Sequence, residues 1–247
     1  MKVNQLVTSV RKEVEKPFEE KIQRTFDLIS LWANHNCYLS CSFGKDSMVL
    51  LNLTLETNPK IPVVFMNTGI EFSETLQFRN QILSQKPLNF YETKPIKSFF
   101  EVCKHSKGHM DDGRKHSNQC CRNLKEVPAK RLAKSQGWTA TFTGITAMES
   151  RNRMFTACQK GMEYYNKEKE ITMIHPLMFW TPEEVLRYSA EHDFCLNPAY
   201  AKYGLKRIGC MYCMSHRGWR KEVQKLNPRV YRWLCKTRGD PTLHEWM

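Results

Sequence analysis

The stretch Cys41-Ser42-Phe43-Gly44-Lys45-Asp46-Ser47 carries the residue types that a phosphate group requires. A β-rich run over residues 37–43 leads into it. A helical pattern follows, with Met48, Leu51 and Leu55 on one stripe. Strand-to-helix junctions of this kind receive phosphates, because the unpaired N–H groups and the positive end of the helix face the anion. Lys45 adds positive charge. Asp46 is of the type that holds Mg2+ against phosphate oxygens, and Ser42 and Ser47 can donate to those oxygens. The loop is not a Walker A sequence, which requires GxxxxGK[ST]. An ordinary βα turn with Ser or Asp as its cap is the alternative that these residues leave open.

The cysteines form a second constellation. Ten are present. Cys120 and Cys121 are adjacent, and Cys210-Met211-Tyr212-Cys213 is a CxxC. Four thiolates on two short elements suit a [4Fe–4S] cluster or a structural Zn2+, with Cys103 or His116 available to a mixed ligand set. Cys37 and Cys41 lie two pleats apart on one face of a strand and read as core thiols, and Cys195 reads as packing. Cys103, Cys158 and Cys235 are the candidates for a mobile nucleophile or persulfide carrier. His105, His109 and His116 sit in a polar loop beside the cysteine pair, either on phosphate or in water.

The elements that must position these groups alternate. Ile22, Phe26, Ile29 and Ala33 follow a helical spacing within an N-terminal helical segment, residues 1–36. Pro62 precedes the apolar run Val63-Val64-Phe65-Met66, the pattern of a buried parallel strand. Further patterns predict helices over 73–85, 96–104 and 122–135, the last with Pro128 as a kink or boundary. Strands are predicted over 89–93 and 139–143, and Thr181-Pro182-Glu183-Glu184 starts another helix. Repeated βα units predict an α/β fold, a doubly wound parallel sheet with helices on both faces and its ligand at the carboxyl ends of the strands. The nucleotide-binding part is expected over 37–192. A cysteine-rich segment and basic helix over 193–247 are expected to pack on the same domain.

Composition narrows the class. The net charge of +13, with pI near 9.3, suits a polyanionic partner, and equally a Lys-rich soluble surface. Residues 1–12 lack the apolar core of a signal peptide, and no run approaches the ~18 apolar residues of a membrane span. A cytoplasmic protein with reduced thiols and no membrane contact is expected. A mean hydropathy of −0.57 with 11% aromatic residues argues against disorder. The run His216-Arg217-Gly218-Trp219-Arg220-Lys221 interleaves an aromatic with cations, as surfaces for DNA or tRNA do and as solvated helices also do.

SFGKDSMVLL (42–51) resembles the SGGxDS loop of N-type ATP pyrophosphatases and, among these, of the phosphoadenylylsulfate (PAPS) reductase family, an adenine nucleotide alpha-hydrolase-like group. VVFMNTGIEFSETLQF (63–78), FTGITAMESRNR (142–153), IHPLMFWTPEEV (174–185) and NPAYAKYGLKRIGCMYC (197–213) resemble further family motifs in the same order. The resemblance implies an adenine nucleotide, ATP or an adenylyl sulfate (APS or PAPS), with its pyrophosphate or phosphosulfate end on Ser42, Phe43, Gly44, Lys45, Asp46 and Ser47. Lys45, Asp46 and Ser47 would act in catalysis, Asp46 with Mg2+. Asn67, Thr68 and Gly69 would lie near the adenosine, and Arg151 and Arg153 would reach phosphate or sulfate oxygens. Phe43 departs from the family's first glycine, which makes the backbone path less free. The APS reductases of the family carry a [4Fe–4S] cluster on the cysteine arrangement that Cys120, Cys121, Cys210 and Cys213 resemble.

Two activities follow from the resemblance. Lys45-Asp46-Ser47 resembles the ATP-using members, such as the iron–sulfur ATP pyrophosphatases of DNA phosphorothioate modification (DndC-like). That implies adenylylation of a substrate for sulfur transfer, with a cysteine desulfurase as the sulfur donor, and is the leading expectation. The cysteine pattern resembles APS/PAPS reductases, whose nucleophile lies in a C-terminal E-C-G-[LI]-H. Here Cys235 stands between Leu234 and Lys236 instead. A non-catalytic nucleotide-binding iron–sulfur protein is the third reading.

Overall fold

β1 (Cys37–Ser40) lies at the middle of a six-stranded sheet with the order β3-β2-β1-β4-β6-β5. The structure is a computed structural model that describes residues 3–103, 120–211, 219–229 and 231–232. The other strands are β2 (Pro62–Met66), β3 (Asn89–Thr93), β4 (Ala140–Thr143), β5 (Glu163–Asn166) and β6 (Ile171–Ile174). All neighbours are parallel except the edge strand β5, which runs antiparallel to β6. From β1 the chain winds outward to β2 and β3, then returns to β4 on the opposite side of β1. That reversal opens a crevice beyond the carboxyl ends of β1 and β4. Ser40 pairs with Thr143, so the two strands end level and their following loops leave side by side.

Along the chain the helices are α1 (Val3–Val14), α2 (Phe18–Trp32), α3 (Lys45–Thr57), α4 (Ser73–Gln85), α5 (Phe99–Cys103), α6 (Val127–Gln136), α7 (Arg151–Lys160), α8 (Pro182–Glu191), α9 (Ala199–Tyr203) and α10 (Trp219–Leu226). Strand residues Leu39, Val63, Phe142 and Ile174 pack with Ile29 of α2, Val49, Leu50 and Leu53 of α3 and Val185 and Tyr188 of α8 in the main core. Tyr38, Val64 and Met173 pack with Ala133 of α6 in a separate cluster. Since strand side chains alternate between faces, helices cover both sides of the sheet, as the apolar runs predict. Lys21 is buried. Its ammonium lies 2.5 Å from Glu184 Oε1 and donates to the Val14 carbonyl at 2.8 Å, which ties α2 to α1 and α8. Glu184 also closes a capping box with Thr181, at the helix start read from Thr181-Pro182-Glu183-Glu184.

The structure redraws several boundaries. β1 stops at Ser40 rather than Phe43, and α3 begins at Lys45. The helix expected over 122–135 is a π-helical turn, Arg122–Glu126, followed by α6 with Pro128 in its first turn. Cys121 and Glu126 both keep helical dihedrals, so the backbone runs on through the π turn into Pro128, and the wider turn accommodates a residue that has no N–H to give. Strands β5 and β6 and helix α7 are additions to the sequence reading. A third apolar cluster joins Val223 and Leu226 of α10 to Ile70, Phe72, Phe99, Leu124 and Leu205. Among the described residues, no helix is long and apolar enough to cross a membrane.

Candidate functional site

The loop after β1 turns at Phe43, which takes a left-handed φ of 56°. Its buried ring lies 5.5 Å from that of Phe65 and 6.3 Å from that of Phe90, centroid to centroid. Gly44 precedes α3 without a side-chain cap, so the first amides of the helix depend on other partners. One is supplied from far along the chain: the Lys45 amide donates to Tyr200 Oη at 3.1 Å. Burial pushes the Tyr200 hydroxyl up to about 12, against the hydrogen bonds it accepts from the Lys45 and Ile208 amides, so it remains neutral. Ser47 Oγ donates to the Gly44 carbonyl at 2.9 Å and lies 3.2 Å from Ser42 Oγ. Lys45 Nζ donates to Asp46 Oδ1 at 2.6 Å. The residues 42–47 thus form one compact turn at the carboxyl end of β1. A single carboxylate beside helix amides suits Mg2+ that arrives on phosphate oxygens. Among the described residues, no group of three or more His, Cys, Asp or Glu could hold a metal by itself.

The other wall of the crevice follows β4. A Cβ placed on Gly144 would meet the Asp46 carbonyl carbon and oxygen at 3.0 Å and the Ser47 nitrogen at 3.1 Å. A side chain here would press the first turn of α3 aside by a few tenths of an ångström. Five residues on, Glu149 forms an ion pair with Arg153 and a second, at 3.6 Å, with Arg207. Ser150 caps α7 by accepting from the Arg153 amide at 3.3 Å. Burial, and next the Arg207 charge, pulls the Arg153 guanidinium down to about 10, while Asp46 opposes this. Arg153 therefore stays cationic at neutral pH and lies within electrostatic reach of the phosphate loop. Arg151, the first residue of α7, is exposed. Gly144, Tyr200 and Arg207 were not singled out from the sequence, although each lies inside one of the motifs quoted above.

On the β2 side, Asn67 Oδ1 accepts from the Gly69 amide at 2.9 Å and its Nδ2 donates to Glu92 at 2.6 Å. Gly69 has a φ of 78°. The buried Thr68 hydroxyl donates to Glu71 at 2.7 Å. This turn is also the dock for the cysteine segment. Glu71 and Cys210 form an isolated antiparallel bridge, Met211 donates to the Ile70 carbonyl at 2.8 Å, and Cys210 Sγ lies 3.8 Å from Glu71 Oε1. Cys120 and Cys210 flank the same apolar cluster. Burial alone would lower the Lys125 ammonium, but the charges of Cys210, Glu71 and Cys121 outweigh it and hold it above its ordinary value. Cys120 and Cys210 thus border one apolar cluster, and Lys125 feels the charges of Cys210 and Cys121, although among the described residues no three such donors are grouped as a metal site. Thiol donors with a balancing ammonium fit an anionic, thiolate-held group.

The remaining sulfur and imidazole expectations divide. Cys37 and Cys41 are buried, and burial pushes both thiols up to about 11, as core thiols require. Cys158 is half-buried against the cluster of Val10 and Met178, away from the loop. Cys195 is exposed, which corrects its reading as packing. Cys103 ends α5. His105, His109, His116, Cys213, His216, Arg217, Gly218 and Cys235 lie outside the described residues.

His175 is a buried group that the sequence reading quoted but gave no role. Its Nδ1 lies 2.5 Å from Thr143 Oγ1, at the last residue of β4, and its Nε2 has no hydrogen-bond partner. Burial first, then the charges of Lys169 and Arg153, push the imidazole from 6.5 down to about 4. Between those pH values the unfolded chain takes up a proton that the folded chain resists. The stability that this neutral burial represents is complete above pH 6.5 and is lost as pH falls toward 4. The shift corresponds to about 3 kcal/mol. Denaturant titrations near pH 7 and pH 4 should therefore show a loss in the parent protein larger than that in His175→Gln by about 3 kcal/mol. Equal losses in the two proteins would remove this role for His175.

Residues 36–216 match the phosphoadenosine phosphosulfate reductase domain. The adenosine 5'-phosphosulfate reductase of Bacillus mycoides (strain KBAB4) is 31% identical over 210 residues, 83% of this chain and 82% of the relative. That of Bacillus cytotoxicus is 32% identical over 216 residues, 86% of this chain and 85% of the relative. Among solved structures, the PAPS reductase from Candida auris, a phosphate complex, superposes with a TM-score of 0.55 at 21% identity, covering 85% of this chain and 96% of that one. The FMN adenylyltransferase of Candida glabrata, with FMN and an ATP analogue, superposes with a TM-score of 0.57 at 14% identity, over 83% of this chain and 69% of that one. These two structures share the fold. The phosphate loop, the Gly144 wall and Cys120, Cys121 and Cys210 all lie inside the domain match, and the chain belongs to the phosphoadenosine phosphosulfate reductase family of enzymes of sulfur metabolism.

Proposed function

We propose that this chain reduces an adenylyl sulfate, APS or PAPS, bound across the β1/β4 crevice with its phosphosulfate end on the amide end of α3. The observation that carries this reading is the cysteine neighbourhood docked on the turn 67–71, within a chain whose relatives named APS reductase align over 83% of its length. In this reaction a thiolate attacks the sulfur, the bond from sulfur to the phosphate oxygen breaks, and the nucleotide leaves with the electron pair, as AMP from APS or as adenosine 3',5'-bisphosphate from PAPS. A second thiolate then attacks the cysteine Sγ of the sulfocysteine, the S–SO3 bond breaks, sulfite leaves with its electron pair, and the two cysteine sulfurs end as a disulfide. Cys235 is the proposed nucleophile on its sequence position, and Arg153 and the α3 amides bind the anionic end of the substrate. Cys120, Cys121 and Cys210, with Cys213, would hold a [4Fe–4S] cluster, which when bound supplies a redox-active, charged centre beside the nucleotide.

A second reading rests on Lys45 and Asp46. Their contact of 2.6 Å at the start of α3 brings one cation and one Mg2+-type carboxylate together, which supports ATP phosphates as the ligand of this loop. An ATP pyrophosphatase would let a substrate oxygen attack the α-phosphorus, with pyrophosphate leaving, before sulfur from a desulfurase persulfide displaces AMP. Anaerobically purified protein decides between the two. Thiol-dependent sulfite release from APS or PAPS, lost in Cys235→Ser and without ATP turnover, supports the reductase. Pyrophosphate release from ATP that disappears in Asp46→Ala overturns it in favour of the second reading. Zinc without iron or labile sulfide in that preparation would sink the cluster.

A further inference from the structure

The three charged residues Glu149, Arg153 and Arg207 come from two separate segments and meet at the mouth of the crevice. Glu149 ends a 3-10 turn, Ala147–Glu149, that follows the contact of Gly144 with the Asp46 backbone. Arg153 lies one helical turn beyond Glu149 on α7. Arg207 arrives from the other direction. Its segment follows α9, where Tyr200 Oη accepts from the amide of Lys45, the first residue of α3. Tyr200 thereby ties the segment that leads to Arg207 to the start of the phosphate loop. The Glu71–Cys210 bridge and the Met211–Ile70 hydrogen bond hold the same segment from its far side.

The charges at this mouth do not balance. Lys45 is matched by Asp46 at 2.6 Å, whereas among the described ion pairs Arg153 and Arg207 both fall to the carboxylate of Glu149. All three groups of that triad remain reachable from solvent, with side-chain exposures of 27%, 40% and 26% for Arg153, Arg207 and Glu149. Two planar guanidiniums that converge on one carboxylate present the donor geometry that a tetrahedral oxyanion takes up. We propose that Arg153 and Arg207 together recognise the terminal oxyanion of the nucleotide, and that Glu149 is a resident counter-ion which this oxyanion displaces; this rests on the reading that the phosphosulfate or phosphate end lies on α3. The shared chemistry is a singly bonded sulfate or phosphate at the end of an adenylyl group. Glu149 keeps the arginine pair ordered and partly neutralised without ligand, and its removal leaves two unmatched cations facing the crevice. Burial first, and then the Arg207 charge, draw Arg153 down to about 10, and an incoming anion relieves the second of these.

The two sides of the pair have opposite predicted signs, which separates recognition from a structural role. AMP, APS, ATP and inorganic pyrophosphate are titrated by calorimetry into the full chain without thiol reductant. Arg207→Ala should weaken APS, ATP and pyrophosphate by about tenfold or more, the loss of a charge-assisted contact, and leave AMP within about twofold. Glu149→Gln should tighten the same three ligands severalfold and leave AMP unchanged. Weakening of AMP and APS alike in Arg207→Ala, or weaker binding of the anions in Glu149→Gln, overturns the proposal. A parent protein that binds ATP but not APS overturns the reductase reading alone, since ATP and pyrophosphate still report on the arginine pair.

Discussion

Substitution of Gly144 by valine is expected to lower kcat/KM by about 100-fold, and substitution by alanine by about tenfold, with the fold retained in both. The contact is backbone against backbone: a Cβ at this position lies 3.0 Å from the carbonyl carbon and oxygen of Asp46 and 3.1 Å from the Ser47 nitrogen. Neither partner is the end of a flexible side chain that could swing aside. Gly144 follows directly on Thr143, which the ladder to β1 and the His175 ring hold in place. The start of α3 is therefore what gives, and it carries Lys45, Asp46 and Ser47 with it. Alanine requires a shift of a few tenths of an ångström, and the two further methyl groups of valine require more. A displacement of about 1 Å in a positioned group is enough for a 100-fold loss. Steady-state kinetics with the nucleotide that turns over, next to urea unfolding of both variants, separates a misplaced loop from a failed fold. Overpacking should cost about 1–3 kcal/mol. Parent-like kcat/KM in Gly144→Val would show that the β1/β4 crevice is not where the reaction occurs.

Gly144 also shows what the sequence could and could not disclose. The phosphate loop was legible because its signal is local: an apolar run, a turn, Lys-Asp-Ser and a helical stripe stand consecutively. The doubly wound fold was legible for the same reason, repeated over several βα units. The order of the strands is not local, so nothing in the residues of β4 alone says that Thr143 ends level with Ser40. Gly144 sits inside the quoted FTGITAMESRNR, yet its function is a tertiary contact. Tyr200 and Arg207 escaped for the same reason, since the Tyr200–Lys45 hydrogen bond spans 155 residues. Helix α7 escaped differently: it buries Ala157 alone in its interior, so its sequence has almost no apolar stripe to read. Its N-cap, Ser150, was the available signal. Cys120, Cys121 and Cys210 were legible as a set by residue type, while the turn that receives Cys210 became visible only in the fold.

At Phe43 the usual ranking of alanine over glycine should be inverted. The sequence marks this residue as a departure from glycine that constrains the loop, and the structure shows how the constraint is met. The backbone keeps the left-handed φ of 56° that suits glycine, and the side chain offsets the strain by burial against Phe65 and Phe90. Left-handed backbone costs a residue with a Cβ about 1–2 kcal/mol. Removal of a buried phenylalanine ring costs about 3–5 kcal/mol, so the ring wins and the loop stays in place. Phe43→Ala forfeits the ring and retains the strain. Phe43→Gly forfeits the ring and relieves the strain, against about 0.5–1 kcal/mol of extra chain entropy in the unfolded state. Both variants should be less stable than the parent by about 2–5 kcal/mol, with Phe43→Gly the more stable of the two by about 0.5–1 kcal/mol. Urea unfolding of the three proteins under one set of conditions tests the order. If Phe43→Ala proves equal to or more stable than Phe43→Gly, the left-handed turn is not a property of the folded loop. If neither variant loses more than about 1 kcal/mol, the ring is not what holds the turn in place.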